Sequence, residues 1–220
     1  MNMGRNSGHF PTLVASLPRL PSDFEQPHVP ISRPRLENRL QMLPEEELEL
    51  VRLVDGFWRW EYQEREGPDI YAAMVSRIDN PAVLECIQVL ADIRMLTVAV
   101  RARLRGGKPE AVVGRWGEHI LRNWQTPDFG LVLRFPWLTE FRGLLENKDY
   151  AGAERRVCRI VWHEMARAAE NHYFDLTVII SYLVRWDIIN RWAVRDHARG
   201  VDRFTALVKE AIGDHAGKIE

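Results

Sequence analysis

The sequence predicts an all-α protein. Three observations carry that expectation. Apolar residues recur at spacings of three and four from Ser32 to Ile212, helix-start signals stand at Ser32, Pro44 and Asn80, and no run alternates strictly enough for a central strand. The chain has 220 residues, 46% of them hydrophobic and 28% charged, with a formal net charge of -1. That is enough chain to bury a substantial core, and the composition is that of a folded protein rather than a disordered or low-complexity one.

Residues 1–31 read as a proline-rich arm. Pro11, Pro18, Pro21, Pro27 and Pro30 fall within it and Pro34 follows, a density that prevents a long helix. Within the arm, 10–17 is expected to be a short extended segment that docks on the body through Leu13, Val14 and Leu17. The rest, 32–220, is expected to form one helical domain, with a division into modules of about 32–126 and 127–220 as the alternative.

Ser32 can cap a helix with Pro34 in its first turn, and Leu36, Leu40 and Leu43 supply its apolar face. Pro44 opens the next helix. Glu45, Glu46 and Glu47 lie in its first turn, where carboxylates complement the positive helix end. Gly67-Pro68-Asp69 restarts a short helix expected to run through Ile78. Asn80-Pro81 begins a long one that Gly106-Gly107 stops after Leu104. A short, broken helical stretch is expected over 109–124 and a turn-rich connection over 127–136. Helices are expected at about 137–147, 150–172, 174–197 and 200–212. The 80–105 and 174–197 helices are apolar almost all round, which marks them as internal.

Charge and motif content narrow the chemistry. The near-neutral charge supplies no global field for nucleic acid or an anionic membrane, so no nucleic-acid partner is expected. Cys86 and Cys158, the two cysteines, lie in apolar periodic segments and are expected as buried thiols. No phosphate-binding loop and no dinucleotide-binding turn occurs, so no nucleotide cofactor is expected. His163-Glu164 begins like a zinc-protease helix, but Arg167 replaces the second histidine and no metal is expected. Cys158 and His163 are five apart, a poor spacing for a nucleophile and its base. No catalytic residue is assigned, and the isolated chain is expected not to be an enzyme. The N-terminus lacks an apolar signal region, and 176–194 is interrupted by Arg185, Asp187, Asn190 and Arg191, so a cytoplasmic chain is expected.

Two sets of residues stand out. Asp187 and Asn190 lie off the polar stripe of an apolar helix, which calls for a buried polar network. Arg94, Arg101 and Arg105 share one face of the 80–105 helix and, with Arg103 and Arg115, form a candidate partner-binding surface. The eight tryptophans are expected to pack in the core or anchor interfaces.

The stretches Leu13-Val14-Ala15-Ser16-Leu17-Pro18, Ile31-Ser32 and Leu43-Pro44-Glu45-Glu46 resemble bacterial uncharacterised proteins encoded in V-type ATPase operons. Asp92-Ile93-Arg94-Met95-Leu96, continuing through Arg101-Ala102-Arg103-Leu104-Arg105-Gly106, is similar to a recurring helix of the C subunit of A/V-type ATPases, called d in eukaryotes. Ser181-Tyr182-Leu183 through Asp187-Ile188-Ile189-Asn190-Arg191-Trp192 resembles a second copy. This resemblance implies C-subunit-like helical modules and a non-catalytic role: coupling or assembling the soluble motor on the membrane rotor ring, with the ring and central shaft as partners. It implies a location at the inner face of the membrane, reached through protein partners only. The chain is shorter than the three-module C subunit and carries the arm, so the expectation is an associated protein rather than that subunit itself. The alternative is a cytoplasmic helical ligand-binding protein or enzyme with a pocket around Asp187 and Asn190.

Overall fold

The computed structural model describes residues 8–59 and 67–195. Among them the regular structure is helical, without strands: α1 (Pro11–Ser16), α2 (Arg33–Leu40), α3 (Glu45–Arg59), α4 (Gly67–Val75), α5 (Pro81–Leu104), α6 (Gly117–Arg122), α7 (Trp137–Glu146), α8 (Tyr150–Ala168) and α9 (residues 176–195). The all-α class expected from the sequence is the class observed. The expected 200–212 helix lies outside the described residues.

Caps explain most boundaries. The Asn80 side chain accepts from the Ala82 amide at 2.9 Å and starts α5. At its far end Gly106, at φ +78°, lets the Gly106 and Gly107 amides bond back to the Arg103 and Ala102 carbonyls. This is a Schellman closure, which favours glycine because a Cβ is disfavoured at positive φ. Asp149 caps α8 through the Gly152 amide at 2.8 Å. Ser32 occupies the cap position of α2 in extended geometry, yet its hydroxyl makes no cap bond, so Pro34 does more of the initiation. Two expected helices stop early, α4 at Val75 and α8 at Ala168.

The segment 10–17 is a helix rather than an extended stretch. Pro11 sits in the first turn, where its fixed φ suits a helix and its missing amide costs nothing. Leu13 is buried, and the Phe10 amide donates to the Phe174 carbonyl at 2.6 Å, so the segment does dock on the body. Phe24 packs between Trp162 and Trp192, with ring centres 5.8 and 5.6 Å away. The Trp186 indole donates to the Ile31 carbonyl at 2.8 Å. The described part of the arm therefore belongs to the same apolar core as the helices.

That core is organised around α5, which is buried on nearly every side and packs against α4, α6, α7 and α8. The second internal helix is α9, with Trp186, Ile188 and Ile189 fully enclosed. Cys86 and Cys158 are buried free thiols, and burial pushes Cys86 up to about 12. Trp58, Trp137, Trp162, Trp186 and Trp192 are all buried, as the helical spacing of the tryptophans predicts.

Candidate functional site

The candidate partner-binding arginines separate into internal and external groups. Arg94 is only 7% exposed. It donates to the Phe57 carbonyl at 2.7 Å and lies 4.6 Å over the Phe57 ring. This corrects its assignment to an outward face: α5 is covered all round at its midpoint, so a face defined by spacing alone is internal there. Arg103 lies over Phe129 and Trp124 at 4.2 and 5.1 Å and donates to the Thr126 carbonyl at 3.0 Å. It pins the following loop rather than awaiting a partner. Arg115 forms a 2.6 Å ion pair with Asp92 and a 2.8 Å pair with Glu85. Of the five, Arg101 and Arg105 remain exposed without an ion pair.

Asp187 is buried in a network, as its place on α9 demands. Its carboxylate accepts from the Trp58 indole at 3.0 Å, faces the Arg191 Nε at 3.0 Å, and has Arg59 at 3.7 Å. Arg59 also reaches Asp55 at 3.6 Å, and Asp55 binds Arg33 at 2.6 Å. Burial nevertheless pushes the Asp187 carboxyl above its ordinary range, against the pull of Arg191. Asn190 is half-buried, and among the described residues it makes none of this network's hydrogen bonds or ion pairs.

Asp92 on α5 has an equivalent environment. It is 2% exposed, and its two oxygens hold the Arg115 amide at 2.9 Å and side chain at 2.8 Å. Asp92-Ile93 and Asp187-Ile188, the two copies of the short sequence likeness, thus each bury an aspartate against arginine. Both carboxyls are raised by burial. The likeness between the segments was the available signal for Asp92.

The surface that periodicity did not reveal lies at the C-terminal end of α5. Asp128, Phe129 and Gly130 are consecutive residues at φ +45°, +58° and +69°. A non-glycine residue there costs of order 1–3 kcal/mol and persists only where its surroundings impose it. Here they do: Asp128 is buried against Thr139 Oγ1 and Arg142 Nε, both at 2.9 Å, and Phe129 is fully buried beneath Arg103. The turn presents Val132 and Leu133, and Leu133 is 100% exposed. Leu104 and Leu121 are also exposed. Residues 101–134 hold seven arginines and lysines against three acidic residues, which makes this end basic.

A separate cleft of about 410 Å³ opens between α3, α5, α8 and α9, and Arg59, Arg94, Arg101 and Arg191 line it. Neither Asp187 nor Asn190 reaches its wall. Among the described residues no His, Cys, Asp and Glu side chains converge as a metal site, and no helix is long and apolar enough to cross a membrane.

These features define an all-helical bundle whose buried acids are neutralised by arginine. The chain belongs to the family described as protein of unknown function DUF2764, which matches residues 70–213. That span includes α5, both Asp-Ile segments and the left-handed turn. Neither the curated proteins nor the solved structures contain a match to the chain.

Proposed function

We propose that this protein is a non-catalytic V-type ATPase-associated subunit, resembling the central-stalk C subunit, that couples or assembles the soluble motor on the membrane rotor ring. The ATPase assignment rests on the sequence likeness at 13–18, 92–106 and 181–192. The structural observation in its favour is Leu133, wholly exposed on a turn that buried Asp128 and Phe129 hold in a strained conformation. Exposed Val132 stands beside it, and we read the two together as part of a contact surface. The surrounding arginines suit an acidic partner, which would bring the protein to the inner face of the membrane through protein contacts.

The alternative pocket around Asp187 and Asn190 has less support. Arg191, Arg59 and Trp58 already occupy the carboxylate, and neither Asp187 nor Asn190 lines the nearby cleft.

The test is co-purification of tagged protein with the ATPase A and B subunits from membranes. The wild type is expected to retain them. Leu133→Asp and the pair Arg101→Glu, Arg105→Glu are expected to lose them while melting within about 1 kcal/mol of wild type, since all three residues are exposed. A wild type that carries no ATPase subunit refutes the ATPase assignment. Full retention by Leu133→Asp removes this turn from the interface.

A further inference from the structure

A second groove lies between the proline-rich segment 17–30 and α9. Its volume is about 1020 Å³, and its walls include Leu17, Pro21, Pro27, Tyr182 and Arg185. Arg19 and His28 also line it, and no aspartate or glutamate does.

Two side chains there have unused hydrogen-bonding capacity. Tyr182 is 9% exposed, and its buried hydroxyl has no hydrogen-bond partner among the described residues. A buried hydroxyl without a partner is unfavourable, and native proteins keep few of them. One turn further along α9, Arg185 has no carboxylate partner among the described residues, and its buried Nε has no acceptor among them. Its guanidinium is held 4.2 Å over the Trp162 ring, which fixes the fork in place without using its in-plane donors. Residues three apart on a helix share a face, and both side chains line the groove, with the hydroxyl and Nε enclosed just behind its wall. By contrast, most other half-buried arginines of the molecule are bound to a carboxylate, as Arg33, Arg115, Arg142 and Arg191 are.

We infer that this groove binds a small organic oxyanion, a carboxylate or phosphate monoester with an apolar body. Arg185 and the Tyr182 hydroxyl hold the anion, and the leucine and proline wall covers the body. A prearranged guanidinium and hydroxyl give charge-assisted hydrogen bonds at little ordering cost. Arg19 and His28 supply further positive or donor character from the opposite wall. The absence of acidic side chains from the lining removes the competitor that occupies arginine elsewhere in the fold. The inference is independent of the ATPase reading, because it concerns different residues.

The experiment is calorimetric titration of the full chain with inorganic phosphate, phenyl phosphate and benzoate at constant ionic strength. Phosphate against benzoate separates the two anion classes. Saturable 1:1 binding of at least one organic probe is expected, tighter than inorganic phosphate. Arg185→Gln is expected to weaken it by tenfold or more, and Tyr182→Phe severalfold. Tyr182→Phe is the decisive variant. It removes only a hydroxyl that has no partner among the described residues, so a purely structural tyrosine predicts unchanged or higher stability and no effect on binding. The inference is overturned if no organic probe binds the wild type, if inorganic phosphate binds as tightly as the organic probes, or if either variant binds as the wild type does.

Discussion

Replacing Asp187 with leucine tests whether the buried carboxylate is the keystone between α3 and α9. The cost can be assembled from its contacts. The Trp58 indole N–H, 3.0 Å away, loses its acceptor inside the core, at about 1–2 kcal/mol. The Arg191 guanidinium loses its ion-pair partner, 3.0 Å from Nε, at about another 1–2 kcal/mol for a half-buried pair. Arg59 contributes little. It is 3.7 Å away, its side chain is 38% exposed, and it keeps Asp55. Leucine recovers part of the loss as apolar burial. The net is about 2–3 kcal/mol. That is below the roughly 3–5 kcal/mol of breaking a fully buried pair, because water still reaches the Arg191 side chain, 35% exposed. For a chain of this size the expected fall in melting temperature is roughly 4–12 °C. Urea unfolding followed by circular dichroism reads the change directly. A double-mutant cycle with Trp58→Phe should return a coupling of about 1 kcal/mol, since both changes remove the same hydrogen bond. An unchanged midpoint for Asp187→Leu, or additive single mutants, refutes the reasoning.

Two further outcomes follow from the buried acids. Burial raises the Asp187 carboxyl, so the folded state holds its proton at pH values where the unfolded chain has released it. The stability this group contributes is greatest below the unfolded value and is lost as pH rises through the raised folded value. Asp187→Asn has no such proton, so its stability relative to wild type should improve with rising pH across that window, measured by melting at stepped pH; a gap that moves the other way shows that Arg191 outweighs burial. Gly114→Ala should destabilise by about 2–4 kcal/mol in chemical denaturation. Gly114 sits at φ +75°, and a Cβ would fall 2.7 Å from the Asp92 oxygen that holds the Arg115 amide. A neutral Gly114→Ala would show that this loop moves away freely.

Local chemistry made the helices legible. Asn80-Pro81 and Gly106-Gly107 bound α5 because capping and termination depend on only a few neighbouring residues. The need of Asp187 for a buried partner was legible for the same kind of reason: an aspartate on an apolar helix has to be neutralised wherever that helix goes. Which partners serve was decided by tertiary structure, since Trp58 is 129 positions away in the chain. The arginines of α5 show the limit of periodicity. Spacing places Arg94, Arg101 and Arg105 on one face, but what covers that face depends on distant segments, and Phe57 covers it at Arg94 and not at Arg105. The sequence marks 127–136 as turn-rich, but nothing local announces the left-handed backbone at Phe129, a residue type that does not favour positive φ. Contacts from Thr139, Arg142 and Arg103 impose it, and through it they place Leu133 in water. The sequence by itself determined where the chain coils and that Asp187 needs a partner, because those depend on neighbouring residues. Only the tertiary structure decided which charges and apolar side chains remain available to other molecules, because availability depends on what the rest of the chain leaves uncovered.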